Sequence, residues 1–598
     1  MNKTIWLNTP IQSLVAGGIC CLLAFSVSAA TKPMPDGATT GGTTPRTLSQ
    51  QPGLPKEVDL TIPPRKDRPV DLSAGPLFDV YLLNLYQLVP SQNTKQLVDD
   101  EVVIEMLMSA MVENNARFTL GRLQQLADKI TNYYRAKGLV LATAYVPAQD
   151  VVNNTVELHL LMGELGEIEV SGDSSYDAET ISRVFADQIG KPLNKSDIES
   201  SLLTVLDYPG LDISGVLEPG ESVGSTKMLI NINSEDRVSG AVYLDNKGSQ
   251  YSGEERLGLD LSVNNPLGLA DRLTLNFIIQ NKPEVEGDFS VDNAKYSGAT
   301  YEFSPVDSDY IASLHYHQSD YEVGRDLAAF AFAGKSKQWK AGLKKQLGRS
   351  RTRNSYVKAE LVHDQVENTQ ASEQSSADKL TALVAAYGYD FSDNIFGGGF
   401  TRGEVSVQHG FAGVLGAMEN NDLNASRTSS EGPAPAEFNL FEFNLSRYQR
   451  LSDNNALILK FNAQYSPDSL FSVKQFGMGG FDSVRAYPSG EYLADSGFYT
   501  GLELISNAPG FSDKPAFNNR TWGEVLQLML FADYAHGYKN NALLGEESQL
   551  DLSGLGVGVR LMPAESFTAT LTVATPLGDR KASNDRDPQV YGELNYLF

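Results

Sequence analysis

The chain has 598 residues, a formal net charge of −26 from 48 basic and 74 acidic side chains, and two cysteines. That balance excludes a nucleic-acid binder, whose phosphates demand clustered Lys and Arg, and opposes adsorption to anionic lipid. After the first thirty residues no stretch holds ~18 consecutive apolar side chains, so the sequence contains no transmembrane helix, and a membrane protein of this composition spans as a closed barrel.

Residues 1–30 read as an export signal: Lys3, an apolar or small-residue run from Leu14 to Phe25, and the small-residue exit Ser26-Val27-Ser28-Ala29-Ala30. Cys20 and Cys21 both lie inside it, so the processed chain is expected to carry no thiol, disulfide or cysteine nucleophile. Ile19 is bulky where a lipoprotein signal needs a small residue. Residues 31–76 form a Pro/Gly-rich linker with Pro33, Pro35, Pro45, Pro52, Pro55, Pro63, Pro64, Pro69 and Pro76, too poor in apolar surface to fold alone.

From Phe78 the order becomes β-α-α-β-β. Asp79 to Val89 reads as a strand and Lys95 to Met111 as a helix. Thr119 caps a second helix with the apolar stripe Leu120, Leu123, Leu126, Ala127, Ile130 and Tyr134, and Gly138 stands where a left-handed C-cap is wanted. Strands follow at Val140 to Val146 and Thr155 to Met162, with Asn153-Asn154 between them. The order then repeats: strand Leu165 to Val170, helices Asp177 to Gln188 and Lys195 to Leu206, strands Leu211 to Leu217 and Thr226 to Ile232. Five elements in matching order imply two copies of one α+β module.

From Val238 onward strand alternation replaces helices. Leu257, Leu259, Leu261 and Val263 alternate with Gly258, Asp260 and Ser262; Leu273, Leu275, Phe277 and Ile279 follow the same dyad, as do Phe567, Ala569, Leu571 and Val573. Apolar toward lipid and polar toward a wet lumen is the pattern of an outer-membrane barrel. Turns such as Asn264-Asn265-Pro266 are short, whereas Glu367 to Lys379 and Ala417 to Glu437 suit long exposed loops. The last strand places Val590, Gly592, Leu594, Tyr596 and Phe598 on one face. The 361 residues of this region suit 16 strands, and 14 or 18 also fit.

Enzyme signals are weak. His315 and His317 sit on one strand face without a third ligand at metal spacing. Gly554, Gly556 and Gly558 alternate along a strand and open no helix, so they form no dinucleotide fingerprint, and Gly397-Gly398-Gly399 marks a bulge or close packing in the wall. There is no nucleophile elbow. Two stretches carry more. Gly477-Met478-Gly479-Gly480-Phe481-Asp482-Ser483-Val484-Arg485-Ala486-Tyr487-Pro488 sets one arginine in a turning, glycine-rich loop. Leu530-Phe531-Ala532-Asp533-Tyr534-Ala535-His536-Gly537 places a carboxylate on the inward face of a strand. Arg485 and Asp533 are candidates for an ion pair in the lumen, or for two independent lumen-lining charges.

Almost the whole processed chain resembles the two-partner-secretion transporters, the TpsB family of haemolysin-activator and filamentous-haemagglutinin exporter type. The resemblance rests on Tyr145-Val146-Pro147-Ala148-Gln149-Asp150, on Leu244-Asp245-Asn246-Lys247-Gly248-Ser249 with Ser252-Gly253 and Arg256, on Asn264-Asn265-Pro266-Leu267-Gly268 with Asp271, and on the two stretches above. It implies two periplasmic polypeptide-transport (POTRA) modules at 77–163 and 164–236, followed by a 16-stranded outer-membrane barrel at 237–598 with a loop folded inward around 477–495. Val484, Arg485, Ala486 and Tyr487 then belong to that loop and Phe531 and Asp533 to the facing wall, the arginine approaching the acid. The resemblance further implies a large secreted exoprotein as partner, contact with outer-membrane lipid and the barrel-assembly machinery, a monomer, no cofactor, no metal and no catalysis. Two residues depart from the family: glycine is usual at positions 486 and 535, where alanine stands. Some members carry an amino-terminal plug helix in the region of 31–76, and the Pro/Gly content gives no basis for one here. A barrel-assembly insertase of the same superfamily has five such modules against two, and an uptake receptor needs ~22 strands with a plug domain.

Overall fold

The computed structural model describes residues 59–62, 71–87, 98–281, 294–305 and 309–598. The expected signal peptide, Cys20, Cys21, most of the 31–76 linker, and the strand and helix ends at Val89 and Lys95 lie outside the described residues.

One piece of the linker is ordered against expectation. Asp59–Thr61 forms a strand, β1. The first module then runs β2 (Phe78–Asp79), β3 (Leu82–Gln87), α1 (Asp100–Glu113), β4 (Arg117–Phe118), α2 (Leu120–Ala136), β5 (Thr143–Tyr145) and β6 (Thr155–Leu161). Both helices start where a side chain satisfies a free amide: Asp99 accepts from Glu101 N–H, and the Thr119 hydroxyl from Arg122 N–H. The second helix ends at Gly138, whose φ of +98° is open to glycine alone without strain. Leu123, Leu126, Ala127, Ile130 and Tyr134 are buried as its period requires, while Leu120 points outward. They pack with Phe118, Leu139, Leu158, Leu160 and Met162 on a three-stranded sheet, order β3-β6-β5, with β3–β6 parallel. Asn153 and Asn154 both take positive φ at the β5–β6 turn.

The second module repeats this pairing. β7 (Glu164–Ser171) lies parallel to β9 (Ser225–Glu235), and β8 (Leu211–Pro219) antiparallel to it, under α3 (Ala178–Ser182) and α4 (Lys195–Leu206). The predicted helix 177–188 is split, its second half being a 3₁₀ turn, Arg183–Gln188. β1 adds to the outer side of β8 in parallel, Asp59 opposite Ser214, with Leu60 and Ile62 packed against the module core. Leu60 and Ile62 are the short apolar alternation, set among prolines, so this piece of the linker folds only on another element's edge.

Sixteen antiparallel strands follow and close on themselves, the first (Val238–Asp245) pairing with the last (Gln589–Leu597) through Ala241 opposite Leu597. Closure settles the count among 14, 16 and 18. The outer wall carries the apolar dyad: Leu257, Phe277, Leu571, Val590, Leu594, Tyr596 and Phe598 are all exposed on the face that lipid covers. Three expectations need correction. Residues 367–379 are no loop: strands Arg353–Gln370 and Glu373–Asp393 run on as a tall hairpin, turning at Ala371 and Ser372 with positive φ. Gly397 and Gly398 take positive φ in a turn rather than a bulge, while Gly399 shows the expected close packing in the wall, a Cβ there standing 2.4 Å from the Arg447 guanidinium. A short helix, Trp522–Val525, interrupts the strand-only region. Residues 417–437 are irregular apart from a two-residue ladder.

The second module is fastened to the barrel's periplasmic turns. Arg349 donates to both Asp207 oxygens at 2.6 and 3.0 Å, Arg351 pairs with Glu199 at 2.8 Å, and Asn265 donates to Ser175. Burial alone would raise the Glu235 carboxyl, but donors from Ser175 and Ser174 outweigh it and hold the group below the usual carboxylate range.

At the closing seam, Gly240 and Phe598 exchange two backbone hydrogen bonds of 2.9 and 3.0 Å. Removing Phe598 deletes both, at about 1 kcal/mol each, and leaves the carboxy-terminal strand short. The assembled barrel, measured by its distinct mobility in unheated gels, is expected to fall several-fold relative to the full chain.

Candidate functional site

Residues 466–495 connect barrel strands Asn455–Tyr465 and Ser496–Asn507 and fold into the lumen. Their core is a narrow hairpin, Phe476–Met478 against Tyr492–Ala494. Gly479 and Gly480 hold φ of +88° and +95°, and a Cβ at Gly479 would stand 2.4 Å from the Pro488 carbonyl. Only glycine allows the chain to double back this tightly.

The tip carries Arg485, which meets Asp533 on strand Leu526–Tyr538. Arg485 Nε donates to Asp533 Oδ2 at 2.8 Å, Nη2 to Oδ1 at 2.9 Å, and the Arg485 backbone N–H to Oδ2 at 3.2 Å. The bidentate fork fixes orientation as well as charge. Nη1 donates to Glu503 at 2.7 Å, and Tyr499 O–H to Asp533 Oδ1 at 3.1 Å. Arg485 is 8% exposed and Asp533 3%. The guanidinium carbon sits 3.4 Å from the centre of the Phe531 ring, a cation–π contact in a desolvated setting. The two candidate charges are therefore partners rather than independent lining.

The neighbouring motif residues form the apolar seat. Val484, Ala486, Tyr487, Phe531 and Ala535 are buried in one cluster with Leu550 and Leu552. The Tyr487 hydroxyl donates to the Arg580 carbonyl, and Tyr591 O–H donates to the Tyr487 carbonyl at 2.9 Å. The glycines on the strand Gln549–Ala564 explain how bulk is accommodated. A Cβ at Gly554 would stand 2.5 Å from the Ala486 Cβ, and one at Gly556 would stand 2.2 Å from the Phe531 ring. Gly501, opposite Asp533 in register, leaves room for the Tyr499 hydroxyl. Ala486 is not among the residues with positive φ, so this position needs space rather than conformational freedom, and Gly554 supplies it.

The base of the loop is held separately. Lys474 pairs with Asp364 at 2.8 Å, on the strand Arg353–Gln370 across the lumen. Asp495 is fully buried and accepts from Leu470 N–H, Gln475 Nε2 and Asn540 N–H at 2.9, 2.9 and 2.7 Å. Phe471 packs with Leu380, Met418, Ala434 and Ala436, joining the loop base to the outer loop 417–437. Lys247, after the first barrel strand, lies 3.7 Å over the Phe481 ring and 2.9 Å from Glu593. Cavities of about 550 and 360 Å³ remain in the lumen, the first beside Arg485 and Glu503 and the second beside Phe476 and Leu493.

Among the outer loops, Arg427 and Lys539 both pair with Glu546, at 2.7 and 3.0 Å. Burial opposes the Glu546 charge, but the Leu543 amide, Lys539 and Arg427 hold its carboxyl below the usual range. His315 and His317 touch each other at 3.1 Å, and His315 Nδ1 lies 2.7 Å from the Thr300 hydroxyl. No group of three metal-ligating side chains occurs among the described residues.

Sequence reasoning found Arg485, Asp533 and their flanks. It missed Tyr499, Glu503, Lys474, Asp364 and Asp495, ordinary polar residues whose convergence depends on strand register, and it named Lys247 in a family marker without giving it a role. The alternating glycines at 554, 556 and 558 were a usable signal, because an inward glycine stripe marks where something packs on the wall.

Comparisons with known proteins identify the family and the fold. A sequence model of the family described as haemolysin secretion/activation protein ShlB/FhaC/HecB matches residues 224–561, and one of the ShlB-type POTRA domain matches residues 97–163. The chain belongs to the haemolysin secretion/activation family: it is an outer-membrane transporter of two-partner secretion, with its POTRA region in the periplasm. The heme/hemopexin transporter protein HuxB of Haemophilus influenzae is 26% identical over 83% of this chain and 84% of its own length. The outer membrane transporter CdiB of Escherichia coli O6:K15:H31 is 25% identical over 76% of this chain and 73% of its own. The solved structure of CdiB from Escherichia coli superimposes with a TM-score of 0.68 at 22% identity, over 90% of this chain and 94% of that one.

Removing either member of a buried pair leaves an uncompensated charge, at about 3–5 kcal/mol. Arg485→Asp and Asp533→Arg are each expected to impair client secretion at least ten-fold, about 1.4 kcal/mol or more, with part of the loss recovered when the two are combined. Gly554→Leu, which leaves both charges in place, is expected to displace the tip and raise the pore's resting conductance in planar bilayers.

Proposed function

We propose that the chain divides at the boundaries expected from the sequence, 77–163, 164–236 and 237–598, and that the first two units capture a large unfolded exoprotein in the periplasm and hand it to the barrel. Capture proceeds by β-augmentation. An extended client pairs its backbone with a free sheet edge, which tolerates varied sequence, while side-chain grooves select the correct partner. In the first module β5 ends its sheet and offers such an edge; in the second, β8 is covered by β1. The described residues contain no helix long and apolar enough to cross a membrane, so the sixteen-strand barrel is the route.

The observation that carries the reading is the inward hairpin held by Arg485 and Asp533. A loop fastened through the lumen by a buried, bidentate ion pair keeps the pore filled at rest. A translocator needs the lumen filled at rest and cleared for the client. Val484, Ala486, Tyr487 and Phe531 seat the loop, and the pair locks it. The protein acts as a monomer, without a cofactor and without catalysis, and contacts the barrel-assembly machinery only during its own insertion. HuxB is described as a heme/hemopexin transporter protein, and a client bearing that class of cargo is one member of the exoprotein class proposed here.

Cells lacking this chain are expected to lose one large protein from the secreted fraction, identified by comparing culture supernatants by mass spectrometry. Restoring the chain returns it. Restoring a chain deleted for residues 78–235 does not, although the barrel assembles. Secretion at the normal level without those residues would refute the capture role.

A further inference from the structure

The lock at the loop tip leaves a second buried ion pair unassigned. Lys474 stands at the opposite end of the loop, in the turn Ser472–Lys474 just before the hairpin. Its partner Asp364 lies on the seventh strand of the barrel, whereas Asp533 lies on the thirteenth and the loop itself leaves between the eleventh and twelfth. The loop is thus pinned to two well-separated parts of the wall. The pair is as dry as the tip lock: the Lys474 side chain is 9% exposed and that of Asp364 3%. Asp364 also accepts from the Gln338 amide, its register partner on strand Phe332–Gly348.

The surroundings of Asp364 make this contact releasable. Lys340 lies two residues beyond Gln338 on the same inward face and interacts electrostatically with both Asp364 and Lys474. It repels Lys474 and attracts Asp364. When Lys474 departs, Asp364 keeps its hydrogen bond from Gln338 and the field of Lys340, diagonal to it across the strand pair, which lessens the penalty that makes most buried pairs costly to break. A brace that is never meant to open gains nothing from a second lysine next to it.

We infer that Lys474 and Asp364 are positioning residues forming a second gate anchor, which holds the base of the loop across the lumen and must release, with the tip lock, before a polypeptide passes. This rests on the translocation reading above and assigns the loop a two-point closure. With only the tip free, the base still bridges the barrel; with only the base free, the tip still occupies the seat at Phe531.

The test uses the full chain, purified and inserted into planar lipid bilayers without client. Lys474→Gln and Asp364→Asn, with Arg485 and Asp533 intact, are each expected to raise the fraction of time spent conducting at least about ten-fold, since the closed state alone loses the Lys474–Asp364 attraction. Exchanging the charges, Lys474→Asp with Asp364→Lys, returns it toward the parent value, and Lys474→Arg stays at that value. Mobility in unheated gels reports barrel assembly. Lys474→Met, which keeps the aliphatic stem, replaces any variant that fails to assemble. Parent-like closure in both neutral variants overturns the anchor, as does an exchange variant no more closed than they are. Because conductance is read without client, a failure of the secretion reading shows instead as unchanged supernatants in cells lacking the chain.

Discussion

In lipid, every backbone N–H and C=O must find a partner within the protein, and the rest of this molecule follows from how that constraint is met. Sixteen strands paired edge to edge leave no open rim, but the closure encloses a lumen. A lumen wide enough for a polypeptide is a permanent leak unless something fills it. The chain fills it with its own 466–495 loop, and because the loop is irregular and buried in a polar interior, its charges have to be satisfied one by one. Arg485 on Asp533, Lys474 on Asp364 and Asp495 under three donors are that accounting.

The apolar dyads at Leu257–Val263, Phe567–Val573 and the carboxy terminus were legible because lipid imposes a strict period of two on every strand it touches. The repeat of two α+β modules was equally visible in element order, and the structure adds that both use the same parallel pairing, β3 with β6 and β7 with β9. The tip of the loop was readable because glycines at 479 and 480 and a single arginine are an unusual combination. Strand number was not readable, since several counts divide the same length and only the Val238–Asp245 seam with Gln589–Leu597 decides.

Register hid the rest. Glu503 and Tyr499 reach the lock only because Gly501 sits opposite Asp533, and a shift of one residue would turn all three outward. Lys474 and Asp364 are 110 positions apart in sequence and meet through the fold alone. The β1 strand was hidden for a different reason. Its three residues are too few for a periodic signal, and the prolines around them dominate the composition. Position 486 shows that a family's glycine can mark either conformation or space. Here the space is returned by Gly554 on the wall, so the substitution is absorbed across the interface rather than along the chain.

The hairpin 353–393 gives the barrel an uneven rim. Its second strand is 21 residues long, about 70 Å of extended chain, and even at a tilt of about 40° it climbs far above an apolar band of ~25 Å. Its upper part does not stand as a raw edge, because Ala377 N–H reaches the Asn424 carbonyl and Met418 N–H the Lys379 carbonyl, both at 2.8 Å. The strands nearer the seam are much shorter, nine residues each in Arg256–Asn264, Arg272–Gln280 and Lys295–Phe303. With these donors and acceptors of the tall hairpin already paired, its flank has less capacity to template a further strand, which is how a long edge is kept from recruiting neighbours.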